Sequence, residues 1–158
     1  LNYLKKNPKV GLVGSNFNVI DRKGKILKKT TIDLNLINDP RAIIHSNIIG
    51  HSTVMYRKNL IKFTRGYPKQ FLYAQDYAFY LKIFTKYNIK LINKNLVLIR
   101  QSHSDSESAR VSKTYLIQKE AINLIFWTLK NIETSLYEKI KILKKFILIV
   151  IKIILKIN

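Results

Sequence analysis

Gly66-Tyr67-Pro68-Lys69-Gln70-Phe71-Leu72-Tyr73-Ala74-Gln75-Asp76-Tyr77-Ala78-Phe79-Tyr80-Leu81-Lys82-Ile83 is the stretch on which the reading of this chain turns. A Gly-Tyr-Pro turn leads through an aromatic loop into Asp76, where a helix begins. Tyr77, Tyr80, Leu81 and Phe84 fall at i, i+3, i+4 and i+7, one apolar face of an α-helix over residues 76–87. Asp76 is the only carboxylate between Pro40 and Ser104, a span that also holds eleven Lys and Arg residues. One reading makes it an N-cap or first-turn carboxylate favoured by the helix dipole. The other makes it a base that takes a proton from a substrate hydroxyl, kept ionised by the helix end and the basic surroundings. Caps far outnumber catalytic acids, so the residues alone favour the structural role. The two roles are compatible.

Working outward, residues 10–20 read as a strand broken near Gly14, followed by the turn Asp21-Arg22-Lys23-Gly24 and a returning strand over residues 25–32. That is a hairpin, with Gly24 supplying positive φ. Pro40 opens a short helix over residues 41–45. His51-Ser52-Thr53-Val54-Met55-Tyr56 is β-rich and reads as a strand, and residues 59–63 as a short helix. Two short strands are expected near residues 89–92 and 96–99. Gln101-Ser102-His103-Ser104-Asp105-Ser106-Glu107-Ser108 is a polar loop that ends in acceptable N-caps, Ser106 and Ser108.

A long helix is expected over residues 109–131. Beyond Lys139 every residue to Ile157 is Ile, Leu, Val, Phe or Lys. Lys141, Lys145, Lys152 and Lys156 fall on one narrow helical stripe, and the rest of the circumference is almost wholly apolar. The longest stretch without a charge runs only from Phe146 to Ile151, too short to span a bilayer. A helix lying in the membrane interface, lysines toward the headgroups, is the expectation, with a core-docking or oligomer helix as its rival. The chain therefore divides into residues 1–108, a helix over 109–132 and a basic amphipathic helix over 133–158.

With 158 residues and 47% hydrophobic side chains, there is material for one folded domain, or one domain and an appendage. The absence of cysteine excludes disulfides and thiolate metal sites. A net charge of +20 suits phosphate backbones, anionic lipid or an anionic nucleotide. The Lys, Ile and Asn richness also matches a compositional bias, and no aromatic-basic pattern favours nucleic acid. The opening residues lack signal-peptide shape and read as the last turns of a helix, so the chain is expected to be a fragment. His45, His51 and His103 are too scattered for a metal motif. Gly11-x-x-Gly14 is neither a P-loop nor a dinucleotide turn.

Four segments in order carry a resemblance: Val10 through Lys25, Asn47 through Lys58, Gly66 through Leu81, and Leu96 through Ser108. The first resembles the segment after the metal-binding aspartates of family 2 glycosyltransferases of the GT-A fold, and the second that family's strand before the acceptor site. The third is similar to its Glu-Asp-Tyr-x-Leu-Trp motif, with Gln75 in place of Glu. The fourth is similar to its closing Tyr-Arg-x-His element, with Gln101 after Arg100. The resemblance covers about two-thirds of the chain. It implies an α/β fold, an incomplete GT-A-like (Rossmann-like) mixed sheet with flanking helices and a helical C-terminal extension.

It also implies that Asp76 is the base of an inverting sugar transfer. His51, Ser52, Thr53, Gln75, Arg100 and His103 would lie near the donor diphosphate and the acceptor, with His103 also a candidate to help hold the metal. The cofactor implied is a divalent ion, Mg or Mn, bound by an Asp-x-Asp in a nucleotide-binding half before Leu1. This chain alone is then expected to be inactive. Partners would be a nucleotide-sugar donor, a glycan or lipid-linked acceptor and an anionic membrane surface, at the cytoplasmic, inner face. The alternative is a non-enzymatic, basic module bound to membrane surfaces.

Overall fold

The computed structural model describes residues 2–31, 39, 41–100 and 115–157. The expected loop at 101–108, with His103, lies outside them. So do Ser106 and Ser108 as helix caps, and Pro40.

The described chain is mixed α/β: a four-stranded mixed sheet with helices packed around it. Every pairing in the sheet involves β1 (Val10–Ile20). One edge of β1 runs parallel to β4 (Asn88–Arg100) along nearly its whole length. Its other edge is shared, antiparallel, by β3 (Met55–Tyr56) opposite Leu12 and Val13 and by β2 (Ile26–Lys29) opposite Asn18 to Ile20. A strand covered this way is buried on both faces, which is why Val10, Leu12 and Val13 form a nearly continuous apolar run. Among the described residues the outer edges of β2, β3 and β4 have no ladder partner, and Leu96 and Leu98 of β4 are exposed. Open edges of this kind promote association.

Several local expectations change. Strand β1 passes through Gly14 unbroken. A Cβ there would approach Ile49 Cγ2 to 2.9 Å, so the glycine serves close packing, not a break. The two strands expected near 89–92 and 96–99 are one strand, β4, because Asn side chains bridge its irregular middle. Asn16 Nδ2 donates to Asn93 Oδ1 at 2.9 Å, and Asn95 Nδ2 donates to the Phe17 and Thr30 carbonyls. The strand expected over 51–56 shrinks to β3. His51–Thr53 is a 3-10 turn instead, closed by Thr53 Oγ1 donating to the Gly50 carbonyl at 2.8 Å. The hairpin turn forms as read, with Gly24 at φ +87°.

The helices are α1 (Asn2–Lys6), α2 (Ala42–His45), α3 (Leu60–Thr64), α4 (Gln75–Phe84), α5 (Tyr115–Asn131) and α6 (Leu136–Ile157). Helix α4 buries Ala78, Phe79, Tyr80, Leu81 and Ile83, more than the single face its periodicity showed. It is the centre of the main core. Leu124 and Ile125 of α5 and Ile142 of α6 belong to that same core, so the C-terminal helices pack on the body of the domain.

Helix α6 is fastened at its start. Ser135 and Glu138 form a capping box: the Ser135 amide donates to Glu138 Oε2 at 2.7 Å, and the Glu138 amide donates to Ser135 Oγ at 3.3 Å. Arg41 Nε donates to Glu138 Oε1 at 2.5 Å, and its Nη2 donates to the Glu133 carbonyl. The guanidinium and the Ser135 donors hold the Glu138 carboxyl well below its usual range, at about 2.

The lysine stripe is divided. Lys145 turns inward and donates to the His45 carbonyl at 2.9 Å, while Lys141 and Lys152 stay exposed. Leu143, Ile147, Leu148, Ile151, Ile154 and Leu155 form an apolar face open to solvent. Its rival reading as a core-docking helix therefore holds for the opposite face. Among the described residues no helix is long and apolar enough to cross a membrane.

Candidate functional site

The loop before α4 is built by backbone geometry and then locked from a distance. Arg65 (φ +59°) and Gly66 (φ +76°) end α3 in two successive left-handed residues, which swing the chain away. Six residues later the chain is caught by Glu120 of α5. Its carboxylate accepts three consecutive amide hydrogens, from Leu72 at 2.7 Å, Tyr73 at 3.0 Å and Ala74 at 2.9 Å. A negative group at this helix entrance also suits the dipole of α4.

That capping leaves Asp76 free of the N-cap role. Ala74 occupies the N-cap position, and Asp76 is the second residue of the helix. The N-cap alternative is thereby corrected to a first-turn carboxylate. Asp76 is half-buried. Its Oδ1 accepts the Tyr77 amide hydrogen at 2.7 Å, and its Oδ2 accepts from Asn47 Nδ2 at 3.3 Å.

Around Asp76 lies an aromatic cluster. Tyr67 stacks on Phe79 with ring centroids 4.5 Å apart, and Tyr56 meets Phe79 edge-on. His51 packs edge-on against Tyr67 at 5.7 Å, and its Nδ1 shares a 3.0 Å hydrogen bond with the Tyr80 hydroxyl. Burial pushes the Tyr67 phenol up to about 12, assisted by a hydrogen bond with Tyr56 and by the charge of Asp76. Burial raises Tyr80 as well, and Asp76 adds to it. Both phenols therefore keep their protons at neutral pH, and Asp76 is the near-by anion of the group.

Asp76 also opens onto a cavity of about 230 Å³, walled by α4, α5, α6 and the end of α2. Its lining is mostly apolar, from Ile44, Tyr77, Ile117, Ala121, Leu124 and Ile142. Asn47, Asp76, Thr128 and Lys145 supply the polar groups. Desolvation lowers the Lys145 ammonium from its usual pKa, and its Nζ lies 5.6 Å from the centre of the Tyr77 ring.

The residues singled out by sequence are brought together only in part. His51 joins Asp76 through the tyrosine cluster. Thr53 is committed to structure, taking the Ser15 amide hydrogen at 3.2 Å while bonding Gly50. Ser52 is exposed in the 3-10 turn, and Gln75 is exposed at the first position of α4. Arg100 ends β4 opposite Ile20, five residues along β1 from Ser15, so roughly 17 Å from the turn that holds Thr53. Its guanidinium donates to the Asp21 and Arg22 carbonyls and closes the β1–β2 hairpin. His103 lies outside the described residues.

Among the described residues no group of three or more His, Asp or Glu could hold a metal ion.

Sequence reasoning missed Asn47, Glu120 and Lys145. Glu120 and Lys145 meet the site only through tertiary packing: nothing local marks Glu120, and Lys145 reads only as one of the lysine stripe. The capping box at Ser135 and Glu138 did carry a signal, Ser-x-x-Glu ahead of an apolar run. Compared with known proteins, the chain matches no family model and no curated sequence.

Proposed function

We propose that this chain is the acceptor-side portion of an inverting, family 2-like glycosyltransferase of the GT-A fold, with Asp76 as its base. The observation that carries the reading is Asp76 itself. It is a first-turn carboxylate outside the N-cap position, with one oxygen on the Tyr77 amide and the other on Asn47, near protonated phenols and lining a cavity. The four motif resemblances support the same assignment, as do a mixed sheet and the open outer edge of β3.

The chemistry follows from the group. An acceptor hydroxyl hydrogen-bonded to Asp76 loses its proton to the carboxylate as its oxygen attacks the anomeric carbon. The new carbon–oxygen bond forms as the bond to the diphosphate breaks on the opposite face, so the configuration inverts. The nucleoside diphosphate leaves with the bonding pair. Asn47, which donates to Oδ2, orients the carboxylate. The divalent ion, Mg or Mn, belongs by resemblance to an Asp-x-Asp outside this chain, and none of these steps runs through it. The enzyme would act at the cytoplasmic face of a membrane, in cell-surface glycan synthesis. Its acceptor would be a glycan or a lipid-linked alcohol.

A second reading has its own support in the exposed apolar face of α6, which carries Lys144 within it and Lys152 at its border: a basic module that binds anionic membranes without catalysis. The coding sequence before Leu1 separates the two. The enzyme reading requires a strand-rich nucleotide-binding region with Asp-x-Asp there, and transfer of sugar from a nucleotide-sugar panel by the combined chain. A reading frame without that region, or no transfer from any donor, refutes it.

A further inference from the structure

The cavity beside Asp76 contains two opposite charges that do not meet. Asp76 and Lys145 both line it. Yet the ion pair found among the described residues is Arg41 with Glu138, and none joins Asp76 to Lys145. Oppositely charged groups in one low-dielectric cavity attract strongly when they can touch. Here each is held by the fold instead, Asp76 by Asn47 and the Tyr77 amide, Lys145 by the His45 carbonyl. The ammonium has three donor hydrogens and gives one to that carbonyl. Much of the remaining wall is apolar, including Ile117, Ala121, Leu124 and Ile142.

A ligand that satisfies such a cavity has three parts: a hydroxyl for the carboxylate, an apolar segment for the walls and an anionic group for the ammonium. We infer that this cavity is the acceptor subsite, and that the acceptor is an amphiphilic alcohol carrying an anionic group next to an apolar segment. The inference rests on the proposed role of Asp76 for the word acceptor, but the binding it requires is independent of catalysis. A plain, uncharged glycan would leave both the apolar wall and the ammonium unmatched. Helix α6 thereby becomes part of the substrate site, since Ile142 and Lys145 both lie on it.

The test uses the whole 158-residue chain and three probes: hexyl phosphate, 1,6-hexanediol and inorganic phosphate, followed by calorimetry and by methyl NMR. Hexyl phosphate is expected to bind more tightly than either other probe, shifting the methyls of Ile117, Leu124 and Ile142. Lys145→Met should weaken hexyl phosphate about tenfold and leave hexanediol unchanged, the effect of losing one charge-assisted hydrogen bond. Ala121→Trp, which fills the cavity, should abolish binding. Should that variant misfold, Ile117→Phe and the methyl map decide in its place. Inorganic phosphate binding as tightly as hexyl phosphate overturns the inference. So do shifts confined to Leu148 and Leu155 on the open face of α6, or unchanged affinity in a folded cavity-filling variant. Failure of Asp76 as a base would appear instead as sugar transfer surviving Asp76→Asn in the chain joined to the nucleotide-binding region the proposal requires, with hexyl phosphate binding to the 158-residue chain intact.

Discussion

The carboxylate of Glu120 accepts the amide hydrogen of Ala74 at 2.9 Å, and so an α5 side chain caps the helix that carries Asp76. The contact spans 46 positions of sequence. It holds the residues that lead into α4, while Asp76 takes the Tyr77 amide of the first turn, and it makes the geometry near Asp76 depend on the docking of α5. Replacing Glu120 with Ala strands the amides of Leu72, Tyr73 and Ala74, which solvent satisfies in part because Leu72 is 66% exposed. The expected loss is about 1–3 kcal/mol in urea unfolding. A loss below about 0.5 kcal/mol would show that the three bonds do not organise the loop.

The Arg41–Glu138 pair gives the docking of α6 a pH dependence. The folded carboxyl titrates at about 2, below its ordinary value of 4.5. Its contribution is therefore complete above about pH 4.5 and is lost as pH falls from there through about 2. Urea midpoints measured from pH 7 to pH 2 should fall across that window, and Glu138→Gln should flatten that part of the curve. With Arg41 42% exposed, the pair is worth about 1 kcal/mol at neutral pH. An identical acid slope in Glu138→Gln would assign the effect to other groups.

Gly11 is held small by its neighbour. A Cβ there would lie 2.7 Å from Tyr87 Cβ and 3.1 Å from Leu60 Cδ1. Gly11→Ala should cost about 1–3 kcal/mol through displacement of Tyr87, in the turn after α4, and of Leu60 in α3 from β1. Thermal melts of the two proteins measure it, and an unchanged midpoint would contradict the close approach.

The open face of α6 makes membrane binding separable from folding. Leu148→Glu, Ile151→Glu and Leu155→Glu together should reduce binding to anionic vesicles at least tenfold and leave the urea midpoint nearly unchanged, because all three side chains are exposed. Ile142→Glu places a charge in the core and should unfold the domain. Vesicle affinity indifferent to the triple substitution would remove α6 as the contact. Truncating the helix is a poorer test, since Ile142 is part of the core.

What was legible in the sequence follows the range of the forces involved. The hairpin at Gly24, the helix after Asp76 and the long C-terminal helix rest on local periodicity and turn chemistry, and they formed with bounds shifted by a few residues. The turn at His51–Thr53 did not read as one, because side-chain bonds from Thr53 override its β-rich composition. The single strand β4 was hidden because Asn93 and Asn95 look like a break until they bond across to β1 and its neighbours. For the site, Asp76 stood out by charge isolation, and His51 by its place in a motif. Glu120 and Lys145 could not be found, since long-range packing alone brings them there. On α6 the periodicity showed two properties, an apolar surface and a lysine stripe. Which arc faced the core depended on the partner helix.

The most direct measurement is the turnover of Asp76→Asn in the chain joined to the nucleotide-binding region that the proposal requires. Asn keeps an oxygen for the Tyr77 amide, so the urea midpoint should stay within about 0.5 kcal/mol of the parent. Losing a general base should lower kcat by about 10²–10⁴-fold while the donor KM holds. A variant that transfers sugar within threefold of the parent rate would contradict the assignment of Asp76 as the base.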